Sequence, residues 1–151
     1  MTAFVTAGAG FLLAVLWFDL MFDVQVARHR RSRELPEEVL ASVAGYYRRV
    51  TTEARPMNRL IAVVMLATIV AIIVQLARAD ASTWVSVVSL ALTGAAVMLA
   101  ATNTVPSAVR LGARNDGAEV QTRLARAILR DHVLCAAAIA AVLVVQLSFA
   151  A

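Results

Sequence analysis

Cysteine is nearly missing from the 151-residue chain. Cys135 is the only one, so no intramolecular disulfide, redox dithiol or multi-thiolate zinc site can form. That excludes the small four-helix membrane thiol oxidoreductases. Cys135 lies inside the apolar run 133–150 and reads as a small packing residue rather than a nucleophile. Lysine is missing altogether: all 14 basic residues are arginine, which reads mainly as compositional bias. Charge of either sign is scarce, 16% of residues against 61% apolar, with a mean hydropathy of +0.77. Soluble domains are about half apolar and a quarter charged. The deficit excludes a soluble globular enzyme, a nucleic-acid-binding module and a disordered tail. A net charge of +4 does not restore nucleic acid as a partner, because of where the arginines sit. The N-terminus lacks a basic n-region and an A-x-A site, so its apolar stretch is expected to persist as a membrane helix.

What is present is four long apolar runs, at about 3–22, 60–77, 83–101 and 133–150. Each approaches the roughly 20 helical residues needed to cross a hydrocarbon core of about 30 Å. Helices are the expected spanning element because they satisfy their own backbone hydrogen bonds. The second and third runs are separated by only a few residues and form a tight hairpin. The other two connections, 24–59 and 102–132, are long. Four crossings put both on one side of the membrane, opposite the termini. Thirteen of the 14 arginines lie in or beside those connections, and only Arg78 lies opposite. The positive-inside rule then gives a multi-pass protein of the cell (inner) membrane, with both termini outside and the long loops cytoplasmic. Trp84 suits an interfacial anchor at the outer end of the third run.

Within the first connection a helix is expected over about 36–54. Pro36 suits its start, Glu37 and Glu38 complement its positive end, and Val39, Val43, Tyr46, Val50 and Ala54 form one apolar face. It lies at the interface or caps the bundle. In the second connection Pro106 is expected to end the third span. Asn115, Asp116 and Gly117 mark a turn, and a helix from Ala118 runs into the fourth span. The fold class is all-α: an integral membrane four-helix bundle with an extra cytoplasmic amphipathic helix, in a single domain. Gly8, Gly10 and Gly94 are expected to permit close helix approach.

Polar residues gather at the cytoplasmic ends of the spans: Asp19, Asp23 and Gln25; Glu53, Arg55, Asn58 and Arg59; Thr102, Asn103 and Thr104; Arg130, Asp131 and His132. Asp19 lies roughly 24 Å along the first helix, still inside the hydrocarbon core, where a carboxylate costs on the order of 3 kcal/mol. It must face the bundle and find a partner. Arg59 is the expected one, with Arg55 and Arg130 as competitors. Asp23 follows four residues later on the same face. Two readings are open: the charges lock the bundle end, or they line a small site. His132 is the histidine near membrane depth, whereas His29 sits in a solvated arginine run. With Asp19, Asp23, Glu53 and Asp131 nearby, His132 suits an acid–base or carboxylate–histidine role. The di-iron spacing of two Glu-x-x-His motifs is missing, so no metal and no cofactor are expected. Tyr46 and Tyr47 read as interfacial anchors.

Several segments resemble the anthrone oxygenase-like family of small four-helix membrane proteins. They are the four-span layout, the long first connection with its amphipathic helix, Asn103-Thr104-Val105-Pro106 leading to Leu111, and Arg130-Asp131-His132 before an Ala/Leu-rich run. The chain departs from that pattern in its Asn–Pro spacing and in Asp19 and Asp23. The resemblance implies an oxidoreductase that converts an aromatic anthrone to a quinone with dioxygen. It implies Asp19 or His132 as base, Arg59 and Asn103 holding the enolate, and Trp17 and Phe18 walling a pocket completed by Asp23 and Asn58. The reading is therefore a membrane protein that binds or oxidises a small hydrophobic molecule. The alternatives are a proton-coupled transporter and an accessory structural subunit. The lipid bilayer is the partner in all three, and a homo-oligomer is compatible with each.

Overall fold

A computed structural model describes residues 1–149, apart from the side chain of Arg55. All described elements are helical. They are α1 (Thr2–Arg28), α2 (Glu37–Arg48), α3 (Arg55–Ala77), α4 (Thr83–Leu99), α5 (Val105–Ala113) and α6 (Ala118–Phe149). A π-helical turn, Arg49–Glu53, extends α2, and another, Ala100–Thr104, joins α4 to α5. Among the described residues four continuous helices are long and apolar enough to cross a membrane: Thr2–Arg28, Pro56–Ala77, Thr83–Ala113 and Ala118–Phe149. The chain is a multi-pass membrane protein.

The third crossing does not stop at Pro106. A proline has no N–H to donate and its ring crowds the carbonyl one turn back, so an unbroken α-helix cannot pass through it unstrained. The wider π turn immediately before it absorbs that misfit, and the helix continues to Ala113. Hydroxyls help to satisfy the loosened carbonyls: Thr102 Oγ1 donates to Met98 O at 2.8 Å, and Thr104 Oγ1 reaches Leu99 O at 3.4 Å.

In the bundle α1 packs on α3 and α6, and α4 on α3 and α6, so chain neighbours are spatial neighbours around a square. All adjacent pairs run antiparallel, as contacts such as Thr2 with Gln75, Ser89 with Gln146 and Asp23 with His132 require. On α6, Gln121, Ala125, Ile128, His132, Cys135, Ile139, Val142 and Gln146 are buried at alternating spacings of three and four. Val5, Ala9, Leu12, Asp23 and Val26 fall on the same kind of stripe on α1. That 3.5-residue repeat is the seam of left-handed antiparallel packing. Gly8 allows α1 to touch α3, because a Cβ there would collide with Thr68 Oγ1. Gly10 and Gly94 do not serve this purpose: a Cβ at either meets nothing within 4 Å.

Among the described residues there are two apolar cores. One fills the bundle with Val5, Leu12, Ile72, Ala96, Ile139 and Val142. The other lies beyond it, where α2, α5 and the first turns of α6 enclose Leu40, Val43, Ala44, Leu111, Ala125 and Ile128. The helix α2 is therefore packed into a cap. Its buried face is Leu40, Val43, Ala44 and Tyr47, turned from the expected stripe so that Val39, Tyr46 and Val50 sit at its margin. Cap and bundle share α6, which at 32 residues is about 48 Å long and outruns a 30 Å hydrocarbon core. At Gly112 the backbones of α5 and α2 meet: a Cβ there would lie 2.8 Å from the Arg48 amide nitrogen.

Candidate functional site

Between the two cores lies a polar layer. The α1 stripe brings Asp19 and Asp23 inward, and α6 presents His132 to them. His132 Nδ1 is 2.8 Å from Asp23 Oδ2, and its Nε2 is 3.8 Å from Asp19 Oδ2. The two adjacent tyrosines of α2 close the layer from the cap side. Tyr47 Oη donates to Asp23 Oδ1 at 2.6 Å, and Tyr46 Oη donates to Asp19 Oδ1 at 2.7 Å. Tyr46 stacks on Phe22 with ring centroids 3.9 Å apart. Asp23 is fully buried and Tyr47 only 2% exposed. These tyrosines are therefore structural partners of the acids rather than interfacial anchors. Burial first, and then the neighbouring carboxylates, hold both phenols well above their ordinary range. Each stays protonated and remains a donor.

A second group adjoins the first through the backbone between residues 131 and 132. Asp131, fully buried, accepts from Asn103 Nδ2, from Thr104 Oγ1 at 3.4 Å and from the Arg130 guanidinium at 2.9 Å. Asn103 reaches inward because the π turn rotates it toward α6. The π turn, α4 and α6 are thereby tied at the level where the third helix bends.

The remaining expected site residues lie elsewhere. Arg59 is exposed and does not meet Asp19. On α3 it shares the outward stripe with Val63, Leu66, Val70 and Ile73, while Thr68, Ile72 and Gln75 point inward. Arg130 is taken by Asp131, and the side chain of Arg55 lies outside the described residues. Asn58 donates to Thr51 O at 3.3 Å, closing the π turn after α2 instead of joining the acids. Glu53 pairs with Arg48 at 3.2 Å. Trp17 and Phe18 are 67% and 62% exposed on the outer face of α1, where they line a shallow open depression with Gly10, Leu13 and Ala14. They do not wall a cavity at the acids. Gln25 bonds its own helix, at Phe22 O.

The opposite end of the bundle holds a network that the sequence reading passed over. Gln75 and Gln146 exchange two amide hydrogen bonds, each 3.0 Å. Gln146 also donates to Ser89 Oγ at 2.9 Å and Gln75 to Thr2 Oγ1 at 3.0 Å. One polar knot thus holds all four crossings. Gln146→Leu should cost about 1 kcal/mol in a detergent unfolding titration, by leaving a buried amide without its partner. The double variant with Gln75→Leu should recover part of that loss. A double variant as weak as the sum of the singles would show that the two amides do not depend on each other.

No curated protein and no solved structure matches the chain. A family model does, over residues 1–149, and it is described as SHR3 chaperone, ER membrane protein SH3. The anthrone oxygenase-like resemblance is overturned by this match, and the oxidoreductase reading goes with it. Of the segments that suggested it, Asn103 donates to Asp131, His132 meets Asp23, and Pro106 follows a π turn. The family description also names the ER membrane where the arginine bias was read as a cell inner membrane. With a match running from the first residue to the last described one, the chain belongs to the SHR3 chaperone family.

Proposed function

We propose that this protein is a chaperone of the ER membrane that accompanies other multi-span membrane proteins during their assembly. The observation that supports this over a small-molecule enzyme is the self-containment of its polar layer. Asp19 and Asp23 are each engaged by a tyrosine and by His132 of the same chain, and the aromatic residues beside them face outward. The family description supplies the word chaperone and the membrane. The outer faces of the crossings carry Trp17, Phe18, Met21, Leu66, Met98 and Leu147, all more than half exposed, a surface suited to lipid and to apolar helices alike. In this reading Asp19, Asp23, His132, Tyr46 and Tyr47 form a latch joining cap to bundle. The arginine-rich connections face the cytosol, following the positive-inside rule.

The test is to synthesise a tagged multi-span protein in ER microsomes with and without this chain, and to measure the sedimentable aggregate. At least a twofold drop is expected, as a rough scale for a modest shift in an assembly equilibrium. A single-span protein should not respond. An unchanged aggregate fraction with the chaperone at equal abundance would overturn the reading.

A further inference from the structure

Among the described residues two groups of arginine stand in contrast, those of the second connection and those at the end of α1. Those of the second connection are engaged within the molecule. Arg110 pairs with Asp116 at 2.8 Å, Arg123 with Glu119 at 2.5 Å, Arg130 with Asp131 at 2.9 Å, and Arg114 with Glu37. Arg126 turns the other way and donates to His29 O at 3.3 Å and Ser32 O at 2.5 Å. The arginines at the end of α1 differ. Arg28, Arg30, Arg31 and Arg33 are all exposed, and among the described residues none pairs with a carboxylate.

Their backbone is nonetheless built. Arg126 holds the turn at His29 and Ser32, Leu35 N donates to Thr122 Oγ1 at 3.0 Å, and His29 Nδ1 contacts Gln25 O at 3.0 Å. The turn is thus fastened to α6 from inside, and its four guanidinium groups are left outside. Its depth follows from helix length. The 27 residues of α1 extend about 40 Å, against about 40–45 Å for hydrocarbon plus headgroups. A crossing that starts at one face therefore delivers Arg28 and the turn to the phosphate level of the other.

We propose that this turn is a binding site for the phosphate headgroups of anionic phospholipids, held by Arg28, Arg30, Arg31 and Arg33. A guanidinium offers a planar fork of donors that matches phosphate oxygens in pairs. Juxtamembrane arginine clusters gain further from the negative surface of an anionic leaflet. The fixed turn lowers the ordering cost that a floppy basic tail would carry. The site is independent of the chaperone reading.

The test uses the full chain in neutral detergent, with lipid retention counted by native mass spectrometry. Phosphatidylserine should be retained in preference to phosphatidylcholine. That preference should fall at least about tenfold when all four arginines become glutamine, because each guanidinium near an anionic surface adds to the attraction. Arg30→Gln with Arg31→Gln gives an intermediate loss and guards against misfolding of the fourfold variant. Arg110→Gln with Arg123→Gln, which removes engaged arginines, should leave the preference intact. Equal retention of the two lipids by the wild type would overturn the proposal, as would equal losses from both double variants. Displacement of phosphatidylserine by an equal concentration of inorganic phosphate would also overturn it, by assigning the turn to a free anion.

Discussion

His132→Ala is expected to be the most damaging single substitution in the polar layer, costing about 3–5 kcal/mol of stability. The histidine is the only basic side chain facing Asp19 and Asp23 among the described residues, 3.8 and 2.8 Å away. Removing it leaves two carboxylates one helical turn apart, Asp23 fully buried and Asp19 partly so, with only tyrosine hydroxyls to hold them. In detergent the unfolding midpoint should fall by on the order of 10 °C. The same substitution in an Asp23→Asn background should cost markedly less, because the uncompensated charge is gone. Equal costs in the two backgrounds would mean that the imidazole contributes packing alone.

The second large effect is expected in the cap, at Gly112. Alanine there would put a Cβ 2.8 Å from the Arg48 amide nitrogen and 2.9 Å from its Cα. These are backbone atoms, which cannot rotate away as a side chain does. Helices α2 and α5 must therefore separate, at an overpacking cost of about 1–3 kcal/mol, and valine should cost more. Because α2 carries Tyr46 and Tyr47, the damage should extend to the acids. Protease cleavage at the arginines of the connections should accelerate in Gly112→Ala while the bundle stays helical by circular dichroism. Gly45→Ala is the control, since a Cβ there meets nothing within 4 Å. Matching cleavage rates for the two variants would refute the close-approach argument.

The four crossings were legible because hydropathy and length act locally, run by run. Asp19 and Asp23 were legible as residues needing partners, because a carboxylate in an apolar helix is costly wherever it points. Their partners were not legible, since these depend on rotation and on a fold-back that no local pattern encodes. Arg59 has the right charge and depth, but it lies on the lipid stripe of α3 with Val63 and Leu66. Tyr46 and Tyr47 are distant in sequence and arrive only because α2 packs into the cap. Pro106 was read by its usual effect on an α-helix, and the π turn ahead of it overrides that effect. Gln75 and Gln146 did carry a signal, as long polar side chains near the ends of otherwise apolar runs. The family did not follow from the short Asn–Pro and His segments, because any bundle of this layout needs polar residues where its helices leave the apolar core.

The repeat along α6 has a consequence for how the chain can change. One stripe, read in threes and fours from Gln121 to Gln146, serves the cap core, the acid layer, the bundle core and the glutamine knot in turn. Inserting a single residue anywhere along it would rotate everything downstream by about 100° and misalign whichever of these layers follow. Only steps of a whole heptad preserve the angular phase. Length variation in this protein should therefore collect in the connections, while α6 behaves as a ruler whose divisions cannot be shifted one at a time.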